Sequence, residues 1–258
     1  MNFDATIPNV EMYSSNMRKS MIDKIFFFDK FDADVYVDFG CANGDLIKFM
    51  SILFPEKTYI GYDINPAMRE KFSQNGLDPA MFFDSFDRVL EELSEKHDGK
   101  DVAVICNSTT HEVYNYGNEE NIAAFWACIN NYAFRYVVIR DMCVSKSVVR
   151  PSDALNVLKV RQRMDNKYLS EFESHWGSID QNWGLVHFLL KYRYFANWNR
   201  EVRENYLPFY FEDFIRNIVH MDPIFVEHYT LPFLRRQVLN DFDIQLQDRT
   251  HVKLIFER

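Results

Sequence analysis

The chain has 258 residues, of which 47% are hydrophobic and 26% charged, enough apolar material for a substantial core and too much for a disordered segment. A net charge of −9 excludes a general polyanion-binding protein, although residues 135–205 carry 12 Lys/Arg against 8 Asp/Glu while the remainder carries 17 against 30. No apolar run approaches the roughly 18 residues that span a membrane, the N-terminus lacks signal-peptide character, and Cys41, Cys106, Cys128 and Cys143 lack the close pairing of a zinc site. A cytoplasmic protein with reduced thiols and no membrane partner is expected.

In chain order, Met17, Met21, Ile25 and Phe28 recur at helical spacing and predict a helix in the first 33 residues. A strand over Asp34–Phe39 runs into a turn with Gly40 and Gly44, then a helix to about Ile52. Thr58–Asp63 reads as a second strand, Asn65-Pro66 as a helix start, and Ala80–Phe83 as a weaker third strand. Phe86, Val89, Leu90 and Leu93 place one apolar face on a helix over Phe86–Lys96. DVAVICNS is the fourth strand, Glu119–Asn131 a helix, and Tyr136–Met142 the fifth strand. Strands one, four and five are unbroken apolar runs, as expected where helices cover both faces of a parallel sheet. The alternation then fails. Residues 144–222 predict a helical cap, and strands resume near Phe225–Phe233 and at THVKLIFER. The expected organisation is a single domain: an extension over 1–33, a cofactor-binding core over 34–143, the cap, and terminal strands over 223–258.

The turn after the first strand separates two cofactor classes. The dinucleotide fingerprint needs glycines at 40, 42 and 45, where this chain has Gly40, Ala42 and Asp45. The observed D-x-G-x-x-x-G, Asp38 to Gly44, resembles motif I of class I S-adenosylmethionine-dependent methyltransferases, with Ala42 where that family usually has glycine. The resemblance covers roughly residues 34–142 and the terminal β pair. It implies a doubly wound, mostly parallel, Rossmann-like α/β sheet with an antiparallel last strand. It further implies S-adenosylmethionine bound across Asp38, Gly40, Ala42 and Gly44, with Asp63 on the ribose and Asp84 and Ser85, beside Phe86, on the adenine. Asn107 and Ser108 would hold the methionine part or the acceptor.

In such enzymes the segment after the fourth strand, here CNSTTHE, borders the methyl group. His111 is expected as a base or acceptor-positioning group, and Glu112 as its partner or as the base for an amine. The DPPY/NPPY-type motif of nucleobase-amine methyltransferases is absent, which favours a small-molecule or nucleotide-like acceptor. Arg140 ends the fifth strand and is expected at the substrate or in an ion pair with Asp141. In the cap, Trp183, Tyr192, Tyr194, Trp198 and Tyr206 interleave with Lys191, Arg193, Arg200 and Arg203. Such residues stack bases and track phosphates, or simply pack a helix; Tyr192, Tyr194 and Trp198 are the substrate candidates. His251 is expected to be structural. No carboxylate–histidine cluster has metal-ligand spacing, so no metal is expected. Two alternatives stand beside the small-molecule methyltransferase. One is an RNA-directed enzyme, which requires a continuous basic face with exposed aromatics; the other is a non-catalytic S-adenosylmethionine-binding or scaffolding protein.

Overall fold

The computed structural model describes residues 20–258, so Met17 lies outside the described residues, while Ile25 and Phe28 of the expected N-terminal helix lie in turns beyond its one helical stretch. Met21–Lys24 forms one short helical turn. Seven strands follow: β1 Val35–Phe39, β2 Thr58–Tyr62, β3 Phe82–Phe83, β4 Val102–Asn107, β5 Tyr136–Met142, β6 Asp222–Tyr229 and β7 His251–Glu257. They form one sheet in the order β3-β2-β1-β4-β5-β7-β6. The first five are parallel, and β7 pairs antiparallel with both β5 and β6. The order 3-2-1-4-5 reverses direction after β1, so a crevice opens at the C-terminal ends of β1 and β4.

The apolar runs are split between two helical layers, as a pleated strand requires. Val35, Val37, Val104, Cys106, Val137 and Ile139 pack beneath helices Phe86–Lys96 and Glu119–Asn131. Tyr36, Ala103, Ile105 and Val138 face the other layer, with Leu46, Ile47 and Met50 of helix Asp45–Leu53. The helices over 86–96 and 119–131 begin and end where the sequence predicts, the second closed by a reciprocal Asn118–Asn121 capping box.

Two local expectations are corrected, and one element is added. The third strand is shorter, because Pro79–Met81 forms a 3-10 turn capped by Asp78. Residues 110–116 form a helix, which places His111 and Glu112 in its first turn. The strand expected to Phe233 stops at Tyr229, and Pro232 opens a helix to Phe242; proline at a first helical position has no N–H to leave unpaired.

The cap is helical as expected, with helices Ala154–Arg163, Asn166–Trp176 and Asn182–Lys191 and shorter turns after them. Val160, Phe172, Phe188, Leu189 and Val202 form its core together with Leu234, Val238 and Phe242 of the helix between β6 and β7. His187 is fully buried there; its Nε2 accepts the Tyr206 N–H, and its ring packs against Trp176 and Trp183. Burial, reinforced by Lys191, holds its pKa well below the usual value. A histidine buried neutral contributes stability above its unfolded pKa of about 6.5 and loses it as pH falls. Replacing His187 by Gln should therefore flatten the acid limb: between pH 6.5 and 5.5 the variant should lose about 1 kcal/mol less than wild type in urea titrations. Parallel limbs would show that His187 is not the buried neutral group.

Candidate functional site

A cavity of about 420 Å³ opens at the crevice, lined by the β1 end and its turn, Tyr62 to Asn65, Phe86 and Asp87, Asn107 and Thr109, and part of helix Thr110–Tyr116. The turn is held from both sides. The Gly40 and Cys41 N–H groups donate to the Tyr62 carbonyl at 2.8 and 2.9 Å. The Ala42 N–H donates to Asp63 Oδ2, and the Asn65 N–H to Asp63 Oδ1, each at 2.9 Å. Asp63 thus fixes the turn while keeping lone pairs for a ligand. Ala42 has φ +48°, a left-handed conformation natural to glycine, so the departure from the family pattern leaves the backbone path intact at some strain.

Asp38 and Lys24 line the same cavity and are both buried. Burial raises the Asp38 carboxyl to about 7 and lowers the Lys24 ammonium to about 8, while each partly offsets the other's shift. Lys24 comes from the short N-terminal turn and carries no motif, so its place here was invisible in sequence. Asn107 is 6% exposed; its amide N–H donates to the Lys24 carbonyl, while its Oδ1 has no hydrogen-bond partner among the described residues. A buried, unspent acceptor on a cavity wall suits a ligand that brings a donor.

The cavity does not include the residues expected on the adenine side. Asp84 is exposed, Ser85 is half-buried, and neither lines the cavity, whereas Phe86 and Asp87 do. The helix starts at Phe86, so its first turn, and not the residues before it, faces inward. Phe86 meets Phe39 and Tyr62 edge-on at 4.9 and 5.1 Å, giving the cavity an aromatic wall.

Glu112 lines the cavity, but His111 stands behind it, 4% exposed. His111 Nδ1 lies 2.7 Å from Asp141 Oδ1, and its N–H donates to Asp141 Oδ2 at 3.0 Å. Burial by itself lowers the imidazole pKa, yet the Asp141 carboxylate outweighs it and brings the pKa up to about 9. Set behind the cavity wall with Nδ1 committed to Asp141, His111 does not meet a ligand in the cavity directly. For Glu112, burial and the neighbouring Glu204 push the carboxyl up to about 7.

Glu204 and Arg200 arrive from the cap. Arg200 Nη2 lies 3.0 Å from Glu112 and 3.7 Å from Glu204, and Glu204 Oε1 lies 3.7 Å from His111 Nε2. The cap loop is pinned in place: Lys191, wholly buried, donates to the Glu201 carbonyl at 2.6 Å and to the Glu204 carbonyl, and the Asn205 N–H donates to Asn115 at 2.9 Å. The polar run NWNREVREN held the only sequence signal for these residues, because helical periodicity leaves so many charges unexplained.

The substrate candidates fare unevenly. Ser108, at φ +57°, accepts from Arg140, and Arg140 is buried against Asp23; neither lines the cavity, and Arg140 pairs with Asp23 in place of the expected Asp141, which His111 engages. Tyr192 and Trp198 are cap core, with their polar tips on Asp241 and Glu171, and Tyr194 does not line the cavity either. The cap's cations are spread over carboxylates: Arg150 on Asp248, Arg161 on Glu173, Arg193 on Asp241, Arg200 on Glu112. A continuous basic face with exposed aromatics, which the RNA-directed alternative requires, does not form among these residues. His251 is buried against Thr250, as a structural histidine.

Strand order, the glycine turn and the acid after β2 together decide the architecture. The fold is the Rossmann-like one that the methyltransferase resemblance implies. No family model matches the sequence, and no curated protein matches it. Among solved structures, the plantazolicin methyltransferase BamL, in complex with a triazolic analogue and SAH, is similar over 95% of this chain and 83% of its own, at 11% identity and TM-score 0.46. The methyltransferase domain of bacterial CtHen1-C aligns over 94% and 97% at 14% identity and TM-score 0.44, and PKMT2 from Rickettsia typhi, in complex with AdoHcy, over 87% and 48% at 13% and 0.45. Likeness this remote decides neither substrate nor activity. No helix among the described residues is long and apolar enough to cross a membrane.

Proposed function

We propose that the protein is an S-adenosylmethionine-dependent methyltransferase acting on a small-molecule or nucleotide-like acceptor, in the cytoplasm and as one domain whose cap closes over the acceptor. The observation that carries this reading is that Asp63, the glycine turn and the unspent Asn107 acceptor all face one cavity. The residues fit the cofactor. Asp63 would accept from the ribose hydroxyls, Asn107 and Asp38 would take the methionine amino group, and Phe86 with Asp87 would meet the adenine. When bound, the cofactor supplies a sulfonium methyl already activated for in-line displacement. The protein's own task is then to position the acceptor and exclude water. Glu112, at the cavity wall, is the side chain proposed to meet the acceptor, with His111 fixed behind it by Asp141.

Calorimetry with S-adenosylmethionine, S-adenosylhomocysteine and NAD tests the cofactor. Saturable binding of the first two and none of NAD is expected; the reverse, or no binding, refutes the reading. Cell extract incubated with methyl-labelled cofactor should then carry label in the small-molecule pool. Label in RNA would replace the acceptor class, and binding without label would leave the non-catalytic alternative.

A further inference from the structure

We infer that His111, Glu112 and Glu204 form a site for one divalent first-row cation, such as Mn²⁺ or Zn²⁺, in the wall between cavity and cap. Their donor atoms all lie within 4.8 Å of one another, although the three residues come from two separate parts of the chain. Three features distinguish this from an ordinary acidic cluster. First, His111 Nδ1 is engaged by the Asp141 carboxylate at 2.7 Å, which turns Nε2 toward Glu204; a metal-ligating histidine is oriented in this way by a carboxylate on its other nitrogen. Second, Glu204 has a side chain only 3% exposed, and its Oε1 has no hydrogen-bond partner among the described residues. A buried carboxylate oxygen aimed at an imidazole nitrogen, and left without a hydrogen bond, suits a cation. Third, the backbone beneath Glu204 is clamped by Lys191, so the carboxylate is placed before any ion arrives.

The distances suit a site that tightens slightly. Ligands at about 2.1 Å from such an ion lie about 3–4 Å apart. His111 Nε2 and Glu204 Oε1 are already 3.7 Å apart, and Glu112, one-third exposed, closes the rest by turning. One imidazole and two carboxylates favour Mn²⁺ or Zn²⁺ over Mg²⁺ and Ca²⁺, which take all-oxygen sets. Arg200 is the competitor, because its guanidinium leans on both carboxylates. The cation's use in orienting an acceptor oxygen rests on the methyltransferase reading; its binding does not.

The test uses the full chain, stripped by chelation and without S-adenosylmethionine. Mn²⁺ binding is followed by the electron paramagnetic resonance of the free ion, and Zn²⁺ binding by calorimetry. One ion per chain is expected. Affinity should fall at least ten-fold in Glu204→Gln and in His111→Gln, fall ten- to hundred-fold in Asp141→Asn, and rise in Arg200→Gln. Circular dichroism checks folding, and Glu112→Gln, whose side chain reaches solvent, serves if the buried variants unfold. Wild type that binds neither ion, or binds equally well in Glu112→Gln, overturns the inference. Because no cofactor is present, either result leaves the cofactor-binding reading to its own calorimetry.

Discussion

Replacing Asp63 by Ala is expected to weaken S-adenosylmethionine binding by roughly ten- to hundred-fold, since hydrogen bonds to a charged group are worth about 1.5–3 kcal/mol. The effect has two sources. The ribose hydroxyls would lose their acceptor, and the Ala42 and Asn65 N–H groups would lose the carboxylate that shapes the turn. Asp63→Asn separates them, because the amide keeps one oxygen for the backbone but presents a donor where the other stood. It should fall between wild type and Ala. Calorimetry on folded variants measures both, and unchanged affinity in Asp63→Ala would remove the cofactor from this cavity.

Gly44→Ala should destabilise the protein by about 2–4 kcal/mol, combining backbone strain with overpacking. Gly44 sits at φ +76°, and a Cβ there would come within 2.4 Å of Leu77 Cδ1 and 2.6 Å of Phe72 Cδ2. Phe72 is 1% exposed and has no room to retreat. Gly76 provides the control: its φ is +86° with nothing within 4 Å of the added carbon, so Gly76→Ala carries the strain alone, about 1 kcal/mol. Urea midpoints compare the two. Equal losses would show that packing beneath the turn contributes nothing, and that Gly44 serves conformation only.

The sequence alone determined the sheet and the turn, and the reason is local. An unbroken apolar run such as VAVIC is stable only with helices on both faces, and residues alternating along it fall to opposite layers whatever the rest of the chain does. Glycine spacing likewise reports a backbone path through a few consecutive residues, which is why Gly40, Gly44 and Asp63 could be placed before any coordinates. Helices over 86–96 and 119–131 were legible for the same reason, being amphipathic, the second also capped from within.

What only the tertiary structure decided are the encounters between distant segments. Asp84 and Asp87 are both acids near the end of β3, and helix phase, which depends on where Phe86 starts the first turn, brings the second to the cavity and leaves the first outside. Lys24 reaches the same cavity from a segment with no motif, and Tyr192 and Trp198 turn inward to the cap core because the helix Pro232–Phe242 and neighbouring acids receive them. The meeting of His111 and Glu112 with Glu204 depends on how the cap, braced internally by Lys191, docks through Asn205 and Arg200 onto a helix formed far earlier in the chain. Local sequence encodes which face a residue presents. The partner it meets there is set by packing between elements, and that is where the arrangement beside the cavity was written.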